Sequence, residues 1–422
     1  MTPDAHHISD SLDHLFRHHA GQMVSVLSRI FGVRHIDLIE DAVQDALVAA
    51  MRKWPHTEVP RNPRAWLTET AKNRVLDRLR RDSRTAGIDA GEFDPPSPSV
   101  IDGAVRFDGE FGEDQLRMIF ACCHPSIAPD SQVALTLKIV GGFSVGEIAG
   151  AYLSNEGSIA KMLTRAKQKL RSGGVPLEIP AGEESGKRLD AVLKVLYLMF
   201  NEGYGASAGD EYIRRDLCFE AIRLVELVAR HPSTSLPKSH AAAALFFMQA
   251  ARFPARADNA GELVLLGDQD RTLWDRKLIG RGMRHLQLSA RGGEISPFHL
   301  EAEIAAIYST APDFASTDWE RILECYSLLQ DISFSPVAEL NRVIVIGRLR
   351  GPEAGLVALE SAAVRHDLGR YNLLHITRGH LLAELGRPGE AARSYAQALK
   401  LTHNNAVRRF VQRKLDELKV AA

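Results

Sequence analysis

The sequence predicts an all-α fold, because helical spacing of apolar residues and helix start and stop signals recur along most of the chain. The clearest case is residues 37–53, where Asp37 is the expected N-cap and Trp54-Pro55 is expected to end the helix. One stripe at 3.6-residue spacing consists of Leu38, Ala42, Val43, Ala46, Leu47, Ala50 and Met51. Residues 10–84 are therefore expected to form a first helical module.

The length of 422 residues predicts roughly three domains. With 52 basic and 53 acidic residues the net charge is −1, so any affinity for nucleic acid has to come from a local cluster. Apolar stretches such as 241–248 are far shorter than the ~20 residues that cross a bilayer. The N-terminus MTPDAHHISD also lacks a signal-peptide pattern, so we expect a cytoplasmic protein.

The cysteines favour buried free thiols, because four irregularly spaced residues suit neither a disulfide framework nor a CxxC site. They are Cys122, Cys123, Cys218 and Cys325. Two clusters leave metal binding open as the weaker alternative: His14 with His18 at i, i+4, and Cys122, Cys123 and His124. Adjacent cysteines rarely both face one ion, so we expect neither a metal nor a cofactor.

Composition divides the chain into further parts. Residues 85–114 lose the helical periodicity and hold eight acidic residues against one basic residue, Arg106, which predicts a flexible acidic linker. A second helical module is expected at 115–174, a helical domain at 186–288 and a third region at 289–422.

The third region shows signs of repetition. Small and large residues recur there at spacings of 3, 4, 5, 4 and 3: Gly379, Leu382, Gly386, Ala391, Tyr395 and Ala398. The spacing resembles a tetratricopeptide repeat, in which small residues let two antiparallel helices approach closely. A weaker copy at 351–360 aligns at an offset of 37. A generic helical hairpin is the alternative.

Residues 144–171 predict a helix-turn-helix. Ser144 and Glu147 form a capping box that starts a short helix, and a second helix follows from 157 to 171. Its apolar stripe comprises Ile159, Met162, Leu163, Ala166 and Leu170. Its exposed face is expected to carry Lys161, Arg165, Lys167, Lys169 and Arg171, with no acidic residue between Gly157 and Arg171. Such a face suits a major groove flanked by phosphates, although a basic surface helix without a DNA role is the alternative.

A second basic helix is predicted at 62–84, with Asn62 as N-cap and Pro63 at the first helical position. Asn73, Asp77 and Arg80 share one face, and an amide beside arginines is suited to reading exposed bases. An aromatic residue such as Trp66 can support an unstacked single strand. A solvated helix with Trp66 in the core is an equally good reading of these residues alone.

Three segments together resemble regions 2 and 4 of an extracytoplasmic-function (ECF) sigma factor of the sigma-70 superfamily: DAVQDALVAAMRKWP, PRNPRAWLTETAKNRVLDRLRR and FSVGEIAGAYLSNEGSIAKMLTRAKQKLR. The resemblance implies that Asp41 and Gln44 dock on the β′ clamp helices of core RNA polymerase, and that the β flap is a further contact. It implies −10 element recognition by Arg61, Asn62, Trp66, Asn73, Arg74, Asp77, Arg80 and Arg81. It implies −35 element recognition by Glu156, Ser158, Lys161, Met162, Arg165, Lys167 and Lys169.

The remainder of the chain resembles a subgroup of these factors with a large C-terminal extension, which implies that the extension controls activity through contact with the sigma domains. Two alternatives stay open: a helix-turn-helix regulator that never engages polymerase, and a tetratricopeptide-type interaction scaffold. We do not expect an enzyme, since the polar clusters at 201–204 and 268–275 hold no nucleophile with its base and more often cap helices.

Overall fold

The computed structural model describes residues 19–57, 59–85, 108–152, 154–258, 261–366 and 368–420, and it confirms the all-α class. Within these ranges the chain forms α-helices, short 3-10 turns and two isolated β-bridges, and no β-strand. It divides into two compact units: one runs to Met199 and takes in Arg230–Thr234, and the other comprises Phe200–Ala229 and Ser235 onward.

The first unit contains α1 to α7 and most of α8. The bounds are α1 (19–31), α2 (Ile36–Lys53), α3 (Pro63–Thr85), α4 (Asp108–Cys122), α5 (Pro129–Ile139), α6 (Val145–Ala151), α7 (Glu156–Ser172) and α8 (Glu183–Tyr204). α3 starts as predicted, because Asn62 accepts a hydrogen bond from the Ala65 amide at 3.1 Å and Pro63 is the first helical residue. α2 ends at Lys53, one residue before the predicted Trp54-Pro55 stop.

The predicted N-cap of α2 is wrong. A 3-10 turn, Val33–His35, runs directly into α2, so the N-cap is His35, and Asp37 lies inside the first turn. The Asp37 side chain is therefore not needed at the helix end, and it is available for a distant partner.

The predicted end of the acidic linker is also wrong. α4 begins at Asp108, and Asp114, which was assigned to the linker, has 1% exposed surface in its side chain. Arg29 donates to Asp114 at 2.8 Å, and Arg117 approaches it at 3.0 Å. Burial raises the pKa of Asp114, and the two arginines oppose that rise. Residues 86–107 lie outside the described part of the chain, so a flexible linker there stays a prediction.

The core of the first unit joins helices from both predicted modules. Met23, Leu27, Ile36, Phe120 and Phe143 are almost completely buried, and they come from α1, α2, α4 and the segment before α6. The buried Arg188 of α8 donates to the Phe120 carbonyl at 2.8 Å. The two modules predicted on either side of the linker therefore belong to one compact unit.

The second unit is a succession of helices: the end of α8, then α9 (Arg215–Arg230), α10 (Pro237–Ala250), α11 (Arg276–Ser289), α12 (Pro297–Thr310), α13 (Trp319–Ile332), α14 (Pro336–Arg350), α15 (Pro352–His366), α16 (Asn372–Glu384), α17 (Pro388–Leu401) and α18 (Asn405–Val420). The stretch 241–248 of α10 is buried throughout and packs against α11 and α12. A second core lies among α12, α13 and α14, and a third joins α14 to α18.

The hairpin predicted near the end of the chain forms from α16 and α17, which pack along their length. A Cβ atom at Gly379 would lie 2.7 Å from the nearest ring atom of Tyr395, so only glycine lets these helices approach. Gly386 lies in the turn at φ +69°, a conformation that favours glycine. α14 and α15 form a preceding hairpin, where the weaker copy was predicted. Assignment of these hairpins to the tetratricopeptide family stays a prediction.

A histidine at the start of α12 predicts a pH-dependent stability. His299 Nδ1 accepts a hydrogen bond from the Ser296 amide at 3.1 Å, and Nε2 lies 3.3 Å from the Ser289 carbonyl, so the neutral ring with its proton on Nε2 satisfies both. Burial lowers the pKa of His299, and the contact with Ser289 opposes that shift. Because the unfolded chain then binds the proton more readily, this contribution is complete above pH ~6.5 and is lost as the pH falls below it.

We expect His299→Gln to remove this sensitivity, because glutamine at the third helical position keeps a capping box at any pH. Between about pH 7.5 and 5.5 the wild type should lose about 0.5–1 kcal/mol more stability than the variant. Urea unfolding followed by circular dichroism at both pH values measures the difference. Equal losses in the two proteins would show that His299 does not act as a neutral cap.

Candidate nucleic-acid interface

Local capping positions the basic helix α7. The capping box at Ser144 and Glu147 forms as predicted: the Glu147 amide donates to Ser144 Oγ at 3.2 Å, and the Ser144 amide donates to the Glu147 carboxylate at 2.7 Å. Asn155 caps α7, because its side chain accepts a hydrogen bond from the Ser158 amide at 2.9 Å. These contacts set where α6 and α7 begin and so where the α7 side chains lie.

One side of α7 is anchored in the core. Ile159, Leu163, Ala166 and Leu170 are buried, as the apolar stripe predicted, and Ala149 of α6 is buried as well. Met162, which was predicted both in this stripe and as a DNA-reading residue, is only half-buried. The anchored stripe leaves the remaining sides of α7 for polar groups.

The basic residues of α7 fall into two rows rather than on one exposed face. Lys161, Arg165 and Lys169 recur at i, i+4 and i+8 and are exposed, together with Glu156 and Ser158 near the helix start. Lys167 and Arg171 form a second row, about 130° away around the helix axis at 100° per residue. The first row agrees with the predicted exposed face, and Arg171 is exposed as predicted, so Lys167 is the exception.

Lys167 departs from the prediction, because its side chain is 16% exposed and lies against α2. Its amine lies 3.2 Å from an Asp37 carboxylate oxygen and forms an ion pair with Glu40. Arg171 forms an ion pair with the same Asp37. The 3-10 turn before α2 also packs against α7. A cleft of about 180 Å³ lies beside these groups, lined among others by Lys138, Val145 and Thr164.

Burial and charge act in opposite directions on this cluster. Burial disfavours the charged form of Lys167, but Glu40 and Asp37 outweigh it, and the pKa of Lys167 is raised. Burial raises the pKa of Glu40, and Lys167 and Lys138 limit that rise. Lys167 is therefore positively charged at neutral pH and faces carboxylates rather than solvent.

The exposed face of α3 is polar, as predicted. Asn73, Asp77, Arg80 and Arg81 are exposed along α3, and Arg61 is exposed just before it. Asn73 Nδ2 lies 3.4 Å from a Glu69 carboxylate oxygen, and Arg80 lies 3.9 Å from Asp77. Asn62 is occupied as the helix cap, so its side chain has a structural role.

Two residues predicted to meet the −10 element contact α2 or the 3-10 turn that follows it, and their role in DNA binding stays a prediction. Trp66 is half-buried and packs on Trp54, with ring centroids 5.6 Å apart and planes at 60°. Arg74 forms an ion pair with Asp45 of α2 at 2.9 Å. The alternative reading of Trp66 as a packing residue therefore describes its contacts in this structure.

The face of α2 opposite the core combines polar and apolar side chains. Asp41 and Gln44 are exposed, and so are Val48 and Met51, at 42% and 64%. These four residues follow i, i+3, i+7 and i+10, which places them on one face. The prediction that Met51 belongs to the apolar stripe of α2 is wrong, because Met51 is exposed. It lies at the edge of that stripe, next to the buried Ala50.

The other candidate clusters have structural partners. Glu202 accepts hydrogen bonds from Ser207, Asp270 from the Thr272 amide at 2.8 Å, and Asp275 caps α11. The four cysteines are free and buried, as predicted. Burial raises the pKa of Cys123 to about 12, so it is a protonated thiol. The described residues include no group of three or more side chains able to hold a metal ion, and His14 and His18 lie outside them.

Asp37 and Glu40 are the interface residues that sequence reasoning missed. Their carboxylates meet cations that are far away in the chain, since Arg171 lies 134 positions after Asp37. Local spacing assigns both only to the start of an amphipathic helix. The one sequence signal was the absence of acidic residues between Gly157 and Arg171, which leaves the cations there without a carboxylate in the same stretch of helix.

No helix in the described part of the chain is both long enough and apolar enough to cross a membrane. No solved structure matches the chain. An uncharacterized protein of Rhizobium meliloti (strain 1021) is 38% identical over 403 residues, covering 94% of this chain and 93% of that protein.

Two family matches locate the similarity. Residues 188–290 match a family of unknown function, DUF6596, and residues 15–85 match Sigma-70 region 2. The region 2 match covers α2 and α3, the helices that carry the exposed Asp41 and Asn73 faces. The chain therefore belongs to one family with this Rhizobium meliloti protein. Its N-terminal match to Sigma-70 region 2, followed by a DUF6596 domain, fits an ECF-like sigma factor with a C-terminal extension.

Proposed function

We propose that this protein binds core RNA polymerase, directs it to promoters with a −35 and a −10 element, and is controlled by its own C-terminal extension. The match to Sigma-70 region 2 supports a sigma-factor-like role in transcription initiation. Proteins with this role are non-enzymatic transcription factors. The observation that carries the finer proposal is that one compact unit presents both an exposed basic row on α7 and an exposed α2 face.

The −35 element is assigned to α7. Lys161, Arg165 and Lys169 form an exposed row on a helix whose opposite side is anchored in the core, which is how a recognition helix is presented to a major groove. Glu156 and Ser158 are exposed at its N-terminal end, the end that contacts base edges in helix-turn-helix proteins. Met162 is the least accessible of the proposed contacts.

The −10 element is assigned to the α3 face, and polymerase to the α2 face. Asn73 and the arginines beyond it offer an amide and guanidinium groups suited to base and phosphate contacts. Asp41 and Gln44 adjoin the exposed Val48 and Met51, and exposed apolar side chains beside polar ones are typical of a protein-binding surface. A partner of this kind operates in the cytoplasm, where we place the protein.

In vitro transcription with core polymerase and a library of promoter fragments tests the proposal. We expect the full chain to produce transcripts with defined starts, which core polymerase alone does not. A second arm uses residues 1–199, which comprise the first compact unit except for Arg230–Thr234 and keep the Arg188 contact. Equal output from both proteins would contradict control by the extension, and no defined start from either would contradict the sigma-factor role.

A further inference from the structure

The second compact unit contains a group of cationic and aromatic side chains, here called the arginine cluster: Arg252, Arg271, Trp274 and Tyr308. The guanidinium carbons of Arg252 and Arg271 lie 5.5 Å and 4.8 Å from the centroid of the Trp274 ring, close enough for cation–π attraction. Trp274 is 2% exposed, whereas both arginines are half-buried. The cluster therefore brings two cations to one buried ring at the border of the core.

The hydrogen-bond acceptors of both arginines are neutral. Arg252 donates to the side-chain amides of Gln249 and Gln269, each at 3.3 Å. Arg271 Nη1 donates at 2.6 and 2.8 Å to two carbonyls at the C-terminal end of α12, where the helix dipole supplies only a partial negative charge. In the part of the chain that the structure describes, no carboxylate lies within ion-pair distance of either guanidinium group. The two positive charges therefore lack a counterion.

The like charges in and around the cluster repel one another. Burial lowers the pKa of Arg271, and the positive charges of Arg252 and Arg276 lower it further. Asp313 opposes this shift from a distance, but its carboxylate accepts a hydrogen bond from Ser316 Oγ at 2.7 Å. Cations that are taken out of water are normally paired with an anion. An anion beside Arg252 and Arg271 would offset their repulsion.

Two buried donors in the cluster also lack acceptors. Arg271 Nη2 and Trp274 Nε1 have no hydrogen-bond partner among the described residues, and both atoms can only donate. Burial raises the pKa of Tyr308 to about 12, and Arg252 and Arg271 oppose that rise, which places the protonated hydroxyl near both cations. What the cluster lacks is therefore a negatively charged group with several acceptor atoms.

We propose that the arginine cluster is a binding site for a phosphate group, either as free inorganic phosphate or as a phosphate ester. Two uncompensated guanidinium charges match the charge of about −1.5 to −2 that a phosphate ester carries at pH 7, whereas a carboxylate supplies a single charge. The phosphate oxygens accept from the planar guanidinium groups, from Arg271 Nη2 and from Trp274 Nε1.

The site goes beyond the proposed function, because none of its residues lies on α2, α3 or α7. Arg252, Arg271 and Trp274 fall within residues 188–290, the range that matches DUF6596. The proposal therefore gives a ligand class to this part of the chain.

Isothermal titration calorimetry of the full-length chain at constant ionic strength and neutral pH tests the site. Inorganic phosphate and glycerol 3-phosphate are the two titrants, and acetate is the comparison with a single negative charge. We expect at least one phosphate titrant to bind with a Kd of about 1 mM or tighter, and acetate to bind at least tenfold more weakly. Tighter binding of glycerol 3-phosphate assigns the site to phosphate esters, and tighter binding of inorganic phosphate assigns it to the free ion.

Three variants test the residues of the cluster. Arg252→Gln and Arg271→Gln each remove one positive charge but keep an amide donor, and each should weaken phosphate binding roughly tenfold. Trp274→Phe keeps the ring but removes the N–H donor, and it should weaken binding roughly threefold. Arg284→Gln is the matched control, since it removes an exposed cation from α11 outside the cluster, and it should bind phosphate like the wild type.

Circular dichroism checks that each variant is folded. If Arg271→Gln does not fold, Arg252→Gln carries the test, because Arg252 donates only to side-chain amides. Three results would overturn the proposal: no heat from either phosphate titrant, acetate binding as tightly as phosphate, or equal phosphate affinity in Arg252→Gln and Arg284→Gln. The titration uses neither polymerase nor DNA, so failure of the sigma-factor role is detected separately, by the transcription assay.

Discussion

Replacing Lys161 and Arg165 by alanine is expected to weaken DNA binding by about 2 kcal/mol or more, roughly thirtyfold at fixed salt. Both side chains are exposed on α7, where they form one row with the exposed Lys169. Three phosphate contacts predict that log K falls with log salt at a slope near −3. Without Lys161 and Arg165, the slope should flatten to about −1.

The measurement is fluorescence anisotropy with a labelled DNA duplex over a salt series. Lys187→Ala with Lys194→Ala is the matched control, since it removes two exposed cations from another helix of the same unit, α8. Both variants lose the same net charge, so a non-specific charge effect would change their DNA affinity and salt slope equally. An equal slope in the two variants would show that α7 is an ordinary basic surface helix.

Asp41→Arg is expected to weaken binding to core polymerase at least tenfold, about 1.4 kcal/mol, and to reduce promoter-dependent transcription in proportion. Asp41 is exposed in the middle of the proposed docking face, beside Gln44 and close to Val48. Charge reversal there places a cation where the partner is expected to present one. The substitution leaves the core intact, since Asp41 is outside it.

Binding to fluorescent core polymerase and run-off transcription measure the two effects. Asp331→Arg is the control, because it reverses an exposed carboxylate on α13, in the second unit. Binding of Asp41→Arg to duplex DNA without polymerase should be preserved. Full transcription by Asp41→Arg, with polymerase affinity equal to that of the control, would contradict a polymerase docking surface on this face of α2.

Local signals predicted most of the helix boundaries, because the interactions that start and end a helix lie within a few residues. The Ser144 and Glu147 capping box and the Asn62-Pro63 start formed as predicted. The hairpin around Gly379 and Tyr395 also followed from spacing, since close packing there requires a residue without a side chain. The N-cap of α2 is His35 rather than Asp37, because a 3-10 turn runs directly into the helix. Local spacing does not distinguish a helix that starts after Asp37 from one that starts after His35.

The exposure of a side chain and its interaction partners were predictable from the sequence only where helical periodicity determines which side of a helix faces the core. The buried stripe of α7 was predicted except for Met162, whereas Met51 lies at the edge of its stripe, where burial depends on whether a neighbouring helix covers it. Asp114 shows the same limit: composition placed it in an acidic linker, but Arg29 and the core around α4 bury it. An acidic residue becomes a core residue when the fold brings cations to it.

The sequence by itself determined the all-α class, the basic character of α7 and the faces of α2 and α3, because these depend on residue types repeated over one or two helical turns. Only the tertiary structure decided which α7 cations face solvent and which face Asp37 and Glu40. The physical reason is that an ion pair forms wherever folding brings opposite charges within a few ångströms, even when, as for Arg171 and Asp37, they are 134 positions apart along the chain.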